Sequence, residues 1–207
     1  MRRFLLSAVV SIALGPSFAS ASTWQVDSAH TAVQFAVRHL MVSTVRGTLG
    51  KATGTVNLDE GDPTKSTVEA SIDVNGIDTR EPKRDQHLKS PDFFDVEKYP
   101  TVTFKSKKVT KVSDTKFKVA GDLTMHGVTK EVTFDVEGPT GPVNAGRNFV
   151  VGATATTTVN RSDWGLTWNR AIEAGGVTVS DAVKITLGIE ANKPNPNAPP
   201  PPPRPGQ

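Results

Sequence analysis

Four histidines, His30, His39, His87 and His126, are the side chains in this sequence best suited to chemistry near neutral pH. A metal centre needs ligands on one rigid element or on two neighbours, for example two histidines one helical turn apart. These four are dispersed, and there is no cysteine to complete a site. Their readings are polar contacts near turns, contacts to a ligand head group, or metal ligation, and dispersion favours the first. Asp92, Asp95 and Glu97 are clustered but lie beside Lys89 and Lys98, the pattern of a solvated helical surface. The chain has no Gly-x-Ser-x-Gly elbow and no phosphate-cradling Gly-x-x-x-x-Gly-Lys loop. No catalytic residue, metal or cofactor is therefore expected. The alternative is an enzyme built on the dispersed histidines, such as a metal-assisted hydrolase.

The elements that would carry these residues are strands, because apolar side chains recur with period two. Val33, Phe35, Val37 and His39 share one face of a first strand, with Trp24 before it. A second strand starts near Thr44 and ends with Val56 and Leu58. The others are marked by Val68–Val74, Val102–Phe104, Phe117–Met125, Val132–Val136, Phe149–Val159 and Val183–Ile189. Turn residues separate them, among them Glu60-Gly61-Asp62-Pro63, Ser113-Asp114-Thr115 and His126-Gly127, so consecutive strands should pair antiparallel. Eight such strands form either a sandwich or a closed barrel. Closure removes exposed edges, and Gly47, Gly50 and Gly54 supply the bends it needs. One stretch, Asp78 to Tyr99, lacks alternation. Thr79 reads as the cap of a short helix from Arg80 through Leu88, and Ser90-Pro91 as the start of a second. Together they read as a helical insertion over one barrel end.

Both termini read as separate from this domain. Met1-Arg2-Arg3, the apolar run Phe4–Leu14 and Ala19-Ser20-Ala21 match a secretory signal cleaved after Ala21. Residues 193–207 hold eight prolines in fifteen positions and read as a disordered tail. The folded domain is thus residues 22–192. The formal charge of +3 belongs to the ends: without Arg2, Arg3, Lys193 and Arg204, 20 basic residues face 21 acidic ones. A near-neutral domain is a poor partner for nucleic acid.

Four stretches carry a resemblance. They are WQVDSAHTAVQFAVRHL from Trp24, RDQHLKSPDFFDVEKYPTVTF from Arg84, GDLTMHGVTKEVTF from Gly121 and NRSDWGLTW from Asn160. In this order they resemble the YceI-like, polyisoprenoid-binding family of bacterial periplasmic proteins, over nearly all of residues 24–190. The resemblance implies an all-β fold: an eight-stranded antiparallel, lipocalin-like barrel with a short helical insertion. It also implies a periplasmic lipid-binding protein, commonly a homodimer. Its ligand would be a long-chain polyisoprenoid, or a similar amphiphile such as an isoprenoid quinone or fatty amide, held in the barrel interior. Transient membrane contact would accompany such a role; the alternative that the same resemblance leaves is an isoprenoid-modifying enzyme using the dispersed histidines. The interior positions on the bulkiest apolar faces are Phe35, Val37, Phe104, Leu123, Met125 and Phe134. His39 ends one of these faces, and Phe94 and Trp164 are expected at the barrel ends, Trp164 lining the mouth. Alternation cannot tell such a lined cavity from a filled core.

Overall fold

The computed structural model describes residues 21–171 and 176–200. The signal-like segment therefore lies outside the described residues, apart from Ala21. Eleven strands and one α-helix follow the chain: β1 (Ser22–Val26), β2 (Ala32–His39), β3 (Ser43–Thr48), β4 (Ala52–Leu58), β5 (Thr67–Asp73), α1 (Pro82–Lys89), β6 (Thr101–Lys111), β7 (Lys116–Met125), β8 (Val128–Glu137), β9 (Val143–Asn144), β10 (Asn148–Asn160) and β11 (Val179–Pro194).

These make an eight-stranded closed antiparallel barrel, because β1–β2 and β3–β4 are each one long strand broken in the middle and the two-residue β9 only extends the edge of β10. β1 and β2 both pair with β11, and β4 and β3 pair with β1 and β2 in turn. The break at 27–31 is held by Thr31, whose Oγ1 donates to the Glu190 carbonyl and accepts from the Glu190 N–H. The break at 49–51 turns on Gly50. A Cβ there would lie 2.0 Å from the Asp73 carbonyl oxygen, a distance no side chain can adopt. From β4 the chain meanders through β5, β6, β7 and β8 to β10. Pairing of β10 with β11 from Asn148↔Pro194 to Asn160↔Ala182 closes the ring. The expected turn at His126-Gly127 joins the Met125↔Val128 pair, with φ of 50° and 75°. Left-handed backbone at both central residues matches the twist of the flanking strands.

Register places Val33, Phe35 and Val37 on one face with Leu187, Ile185 and Val183. On the opposite wall Gly54, Ala70, Phe104 and Leu123 align across β4 to β7. Two buried clusters fill parts of the interior. The larger joins Val33, Ala52, Ile72, Val102, Leu123, Met125, Val159, Trp164 and Leu166, and the smaller joins Trp24, Val151 and Ala191.

The insertion between β5 and β6 differs in detail from the sequence reading. The helix begins at Pro82 with Glu81 as its cap, whose carboxylate accepts from the Lys83 N–H. Arg80 has φ of 65°, which no right-handed helical residue adopts, so the helix cannot start there. Thr79 is instead buried: its N–H and hydroxyl both donate to Asp85, and Arg84 donates to its hydroxyl and carbonyl oxygens. Ser90 closes α1 rather than opening a second helix, and turns follow it. The other correction is at the C-terminus. β11 runs through Lys193 and Pro194, and Asn195 still anchors to the Gly146 carbonyl at 2.8 Å. Proline is tolerated at a strand end; it is the run beyond it that bars further pairing.

Candidate functional site

The inward-facing side chains are nearly all apolar, as period two requires, but they are not equally packed. Leu123, Met125 and Phe134 are buried, and Trp164 is only 2% exposed. Phe104 is half-buried, its ring edge-on to Phe134 with centroids 5.2 Å apart. Phe94, from the insertion, packs on the larger cluster. Phe35, Val37 and Val45 are different. They face inward by register, yet remain half-buried and join neither buried cluster.

That open stripe lies where the wall itself is incomplete. β4 pairs with β5, but β3, which continues the same strand, does not. Only a bridge between Thr48 and Asp78 ties β3 to the insertion. At this seam lies a concavity of about 750 Å³, reached by the inward-facing Phe35 and Val45 and by the outward-facing Gln34, Arg46 and Lys184. Its volume falls in the range of small-molecule pockets. Gly47 makes room for the Phe35 ring: a Cβ there would lie 2.7 Å from Phe35 Cζ.

The nine side chains singled out from sequence therefore separate. Phe35, Val37 and His39 line the open stripe and its upper end. Phe104 stands beside the sealed part, and Phe94, Leu123, Met125 and Phe134 help build it. Trp164 does not line a mouth. Its indole N–H donates to the Leu123 carbonyl at 3.1 Å, so its one polar handle is already used. Sequence reasoning passed over Val45, which faces Val37, and over Val183 and Ile185, which face Val37 and Phe35 while also packing on the larger cluster. The meeting of β11 with β2 follows from barrel closure between distant strands.

The loop holding Trp164 is fastened by Arg161. This guanidinium is buried and donates to the carbonyl oxygens of Leu166, Val179 and Ser180. Burial pushes it below its ordinary pKa, against the opposing charge of Asp181. His126 reinforces the same loop. Its Nδ1 is 3.0 Å from the Trp164 carbonyl, which places the ring proton on Nδ1, and its ring meets Tyr99 edge-on.

His87 lies 2.8 Å from Asp92 and edge-on to both Phe93 and Trp168, tying α1 to the loop after Trp164. His30 Nδ1 is 3.0 Å from Asp27 and 3.4 Å from Glu190. The Asp27 hydrogen bond, then the Glu190 charge, raise the His30 pKa above its ordinary value. The same hydrogen bond from His30, then one from the Ala29 N–H, hold Asp27 below its own. These three are the one group of three metal-capable side chains among the described residues. They already satisfy one another as an exposed ion-pair cluster. His39 alone of the four makes no side-chain hydrogen bond among the described residues, and it ends the open stripe.

A family model described as a YceI-like domain matches residues 24–191. The UPF0312 protein SA2479 of Staphylococcus aureus is 38% identical over 167 residues, covering 79% of this chain and 94% of that protein. Among solved structures, the Campylobacter jejuni YCEI protein matches with a TM-score of 0.65 at 28% identity, over 76% of this chain and 90% of that one. Burkholderia cenocepacia BcnA matches with a TM-score of 0.68 at 22% identity, over 80% and 98%. A domain from Saccharophagus degradans described as polyisoprenoid-binding matches with a TM-score of 0.60 at 14% identity, over 83% and 98%. Because that family model spans residues 24–191 and the Staphylococcus aureus relative is 38% identical over nearly its whole length, the chain belongs to the YceI-like family.

Proposed function

We propose that this protein is a lipid-binding carrier that shelters a long-chain polyisoprenoid, or a similar amphiphile such as an isoprenoid quinone or fatty amide, within its barrel. The observation that carries this reading is the stripe of Phe35, Val37 and Val45, apolar, inward-facing by register, half-buried and outside both buried clusters, with Phe35 and Val45 reaching a concavity of about 750 Å³. An apolar surface kept out of the core without a partner is a cost; a ligand that covers it recovers about 25 cal/mol for each Å² removed from water. Family membership supports the same reading, as does the polyisoprenoid-binding description of the Saccharophagus domain.

The rest of the proposal follows from the role. The chain is secreted to the periplasm with cleavage after Ala21, acts as a homodimer, touches membranes transiently to exchange lipid, and performs no catalysis. Organic extracts of the purified protein, analysed by mass spectrometry, test the central claim. A long-chain lipid at near-stoichiometric amount is the expected result. An empty barrel together with a stoichiometric metal at Asp27, His30 and Glu190 overturns it in favour of an enzyme.

A further inference from the structure

The β2–β3 hairpin ends in Leu40, Met41 and Val42, which are 38%, 51% and 77% exposed. Three consecutive bulky apolar residues at a loop tip are unusual in themselves. The backbone adds a second observation. Leu40 and Met41 have φ of 49° and 61°, the left-handed region where tight hairpins normally place Asn or Gly. A bulky side chain in that conformation carries local strain, and strain of this kind concentrates at functional sites.

Several cations lie near the tip, with Asp181, held by Ser162, the carboxylate on the facing end of β11. Arg38 donates to the Met41 carbonyl at 2.8 Å, which holds its guanidinium at the base of the tip. Below it, the seam concavity carries Arg46, Arg80, Arg84 and Lys184 on its outer side, with Asp78 as its only carboxylate. Among the described residues, none of Arg38, Arg46, Arg80, Arg84 and Lys184 takes part in an ion pair; the pairs formed involve other residues. The tip also adjoins the opening. His39, at the end of the unpacked stripe, immediately precedes Leu40, and Leu40 N–H bonds the Thr178 carbonyl on the facing ribbon.

We infer, resting on the lipid-carrier reading above, that the Leu40-Met41-Val42 tip inserts into the surface of an anionic bilayer, with the Arg46–Lys184 face held against its head groups. Apolar side chains flanked by unpaired cations are what an interfacial anchor requires: burial in the acyl boundary and attraction to negative lipid act together. This orientation sets the open stripe directly against the membrane from which a lipid would pass. A second copy of the chain is the competing occupant, but a cationic flank repels its own copy and favours a negative surface.

The test is flotation of the purified protein with vesicles of phosphatidylcholine alone, or of equal phosphatidylcholine and phosphatidylglycerol. Binding should be confined to the anionic vesicles and weaken with salt. Replacing Leu40, Met41 and Val42 together by Ser should reduce it by roughly tenfold or more. Arg46→Gln with Lys184→Gln should reduce it by roughly fivefold per charge. Because the chain has no cysteine, Val42→Cys carries a single environment-sensitive dye. Its emission should shift to the blue on anionic vesicles, which keeps the test intact if the triple variant folds poorly. No binding by the parent, no loss on removing the tip, an unshifted dye, or a tip variant altered only in oligomeric state each overturns the docking. Lipid extracted from the same parent preparation is scored separately, so loss of docking with lipid present leaves the carrier reading standing.

Discussion

The two sides of the barrel interior obey the same alternation and end in opposite states. On the wall of β6 to β8, Leu123 and Met125 share one buried cluster with Trp164, Phe94 and Phe104 pack against it, and Phe134 is buried against Phe104. On the wall of β2 and β3, Phe35, Val37 and Val45 receive no such cap among the described residues and stay half-buried. The contrast teaches that hydrophobic patterning chooses which face turns inward, while segments between the strands choose whether that face is filled. The loop after β10 fills one side; the insertion after β5 leaves a seam at the other.

The sharpest way to break the comparison is to remove the plug. Trp164→Ala deletes the largest side chain on the sealed side and frees the Leu123 carbonyl it satisfies. A loss of about 3–5 kcal/mol is expected, seen as a melting temperature lower by roughly 10 °C or more. A change of only a few degrees would show that the sealed side is loosely packed after all.

Arg161→Met should follow closely. It leaves the Leu166, Val179 and Ser180 carbonyls without their buried donor, a loss of about 2–4 kcal/mol. Urea midpoints measure it, and an unchanged midpoint would mean water replaces the guanidinium.

A matched pair sharpens the contrast further. Leu123→Gln sets a polar amide in the sealed cluster and should cost about 2–4 kcal/mol of stability. Val37→Gln sets the same group in the open stripe, where water reaches it, and should cost under about 1 kcal/mol. The order reverses for lipid content, which Val37→Gln should lower more at equal folded fraction. Equal stability losses would make both sides solid core.

The smallest effect concerns the ion-pair cluster at the break between β1 and β2. His30 should titrate above the ordinary histidine value of about 6.5 by NMR, and Asp27→Asn should return it toward that value. The sign follows from linkage. Protonated His30 favours the fold fully below pH 6.5, and that contribution fades as pH rises through the raised folded pKa. Asp27 works oppositely: its contribution is present above 3.8 and lost as pH falls through its lowered value. Both groups are exposed, so the stability change should be slight.

Much of this was legible in the linear chain. Period two marked nearly every barrel strand, and the glycines at 47, 50 and 54 marked where one of them bends or makes room. The short helix was legible as an interruption, but its start was not. Arg80 adopts a left-handed turn that residue types alone do not announce, and Thr79 serves Asp85 and Arg84 instead of capping. Lys193 reads as tail by composition. It stays in β11 because Glu60 and the Trp24 ring meet its ammonium, the latter at 4.5 Å, from residues more than 130 positions away.

The amino-acid sequence by itself determined the strands, the inward faces and the family, because alternation and turn chemistry act over a few residues and each is decided locally. Tertiary structure alone decided which inward residues are sealed. Leu123 and Val37 are equivalent in pattern, and the arrival of Trp164 at one, with no comparable partner at the other among the described residues, separates a core position from a lining one. Closure of β2 onto β11 and the unpaired edge of β3 are likewise long-range events. They depend on which surfaces meet after the chain has turned back on itself, and no local preference encodes that.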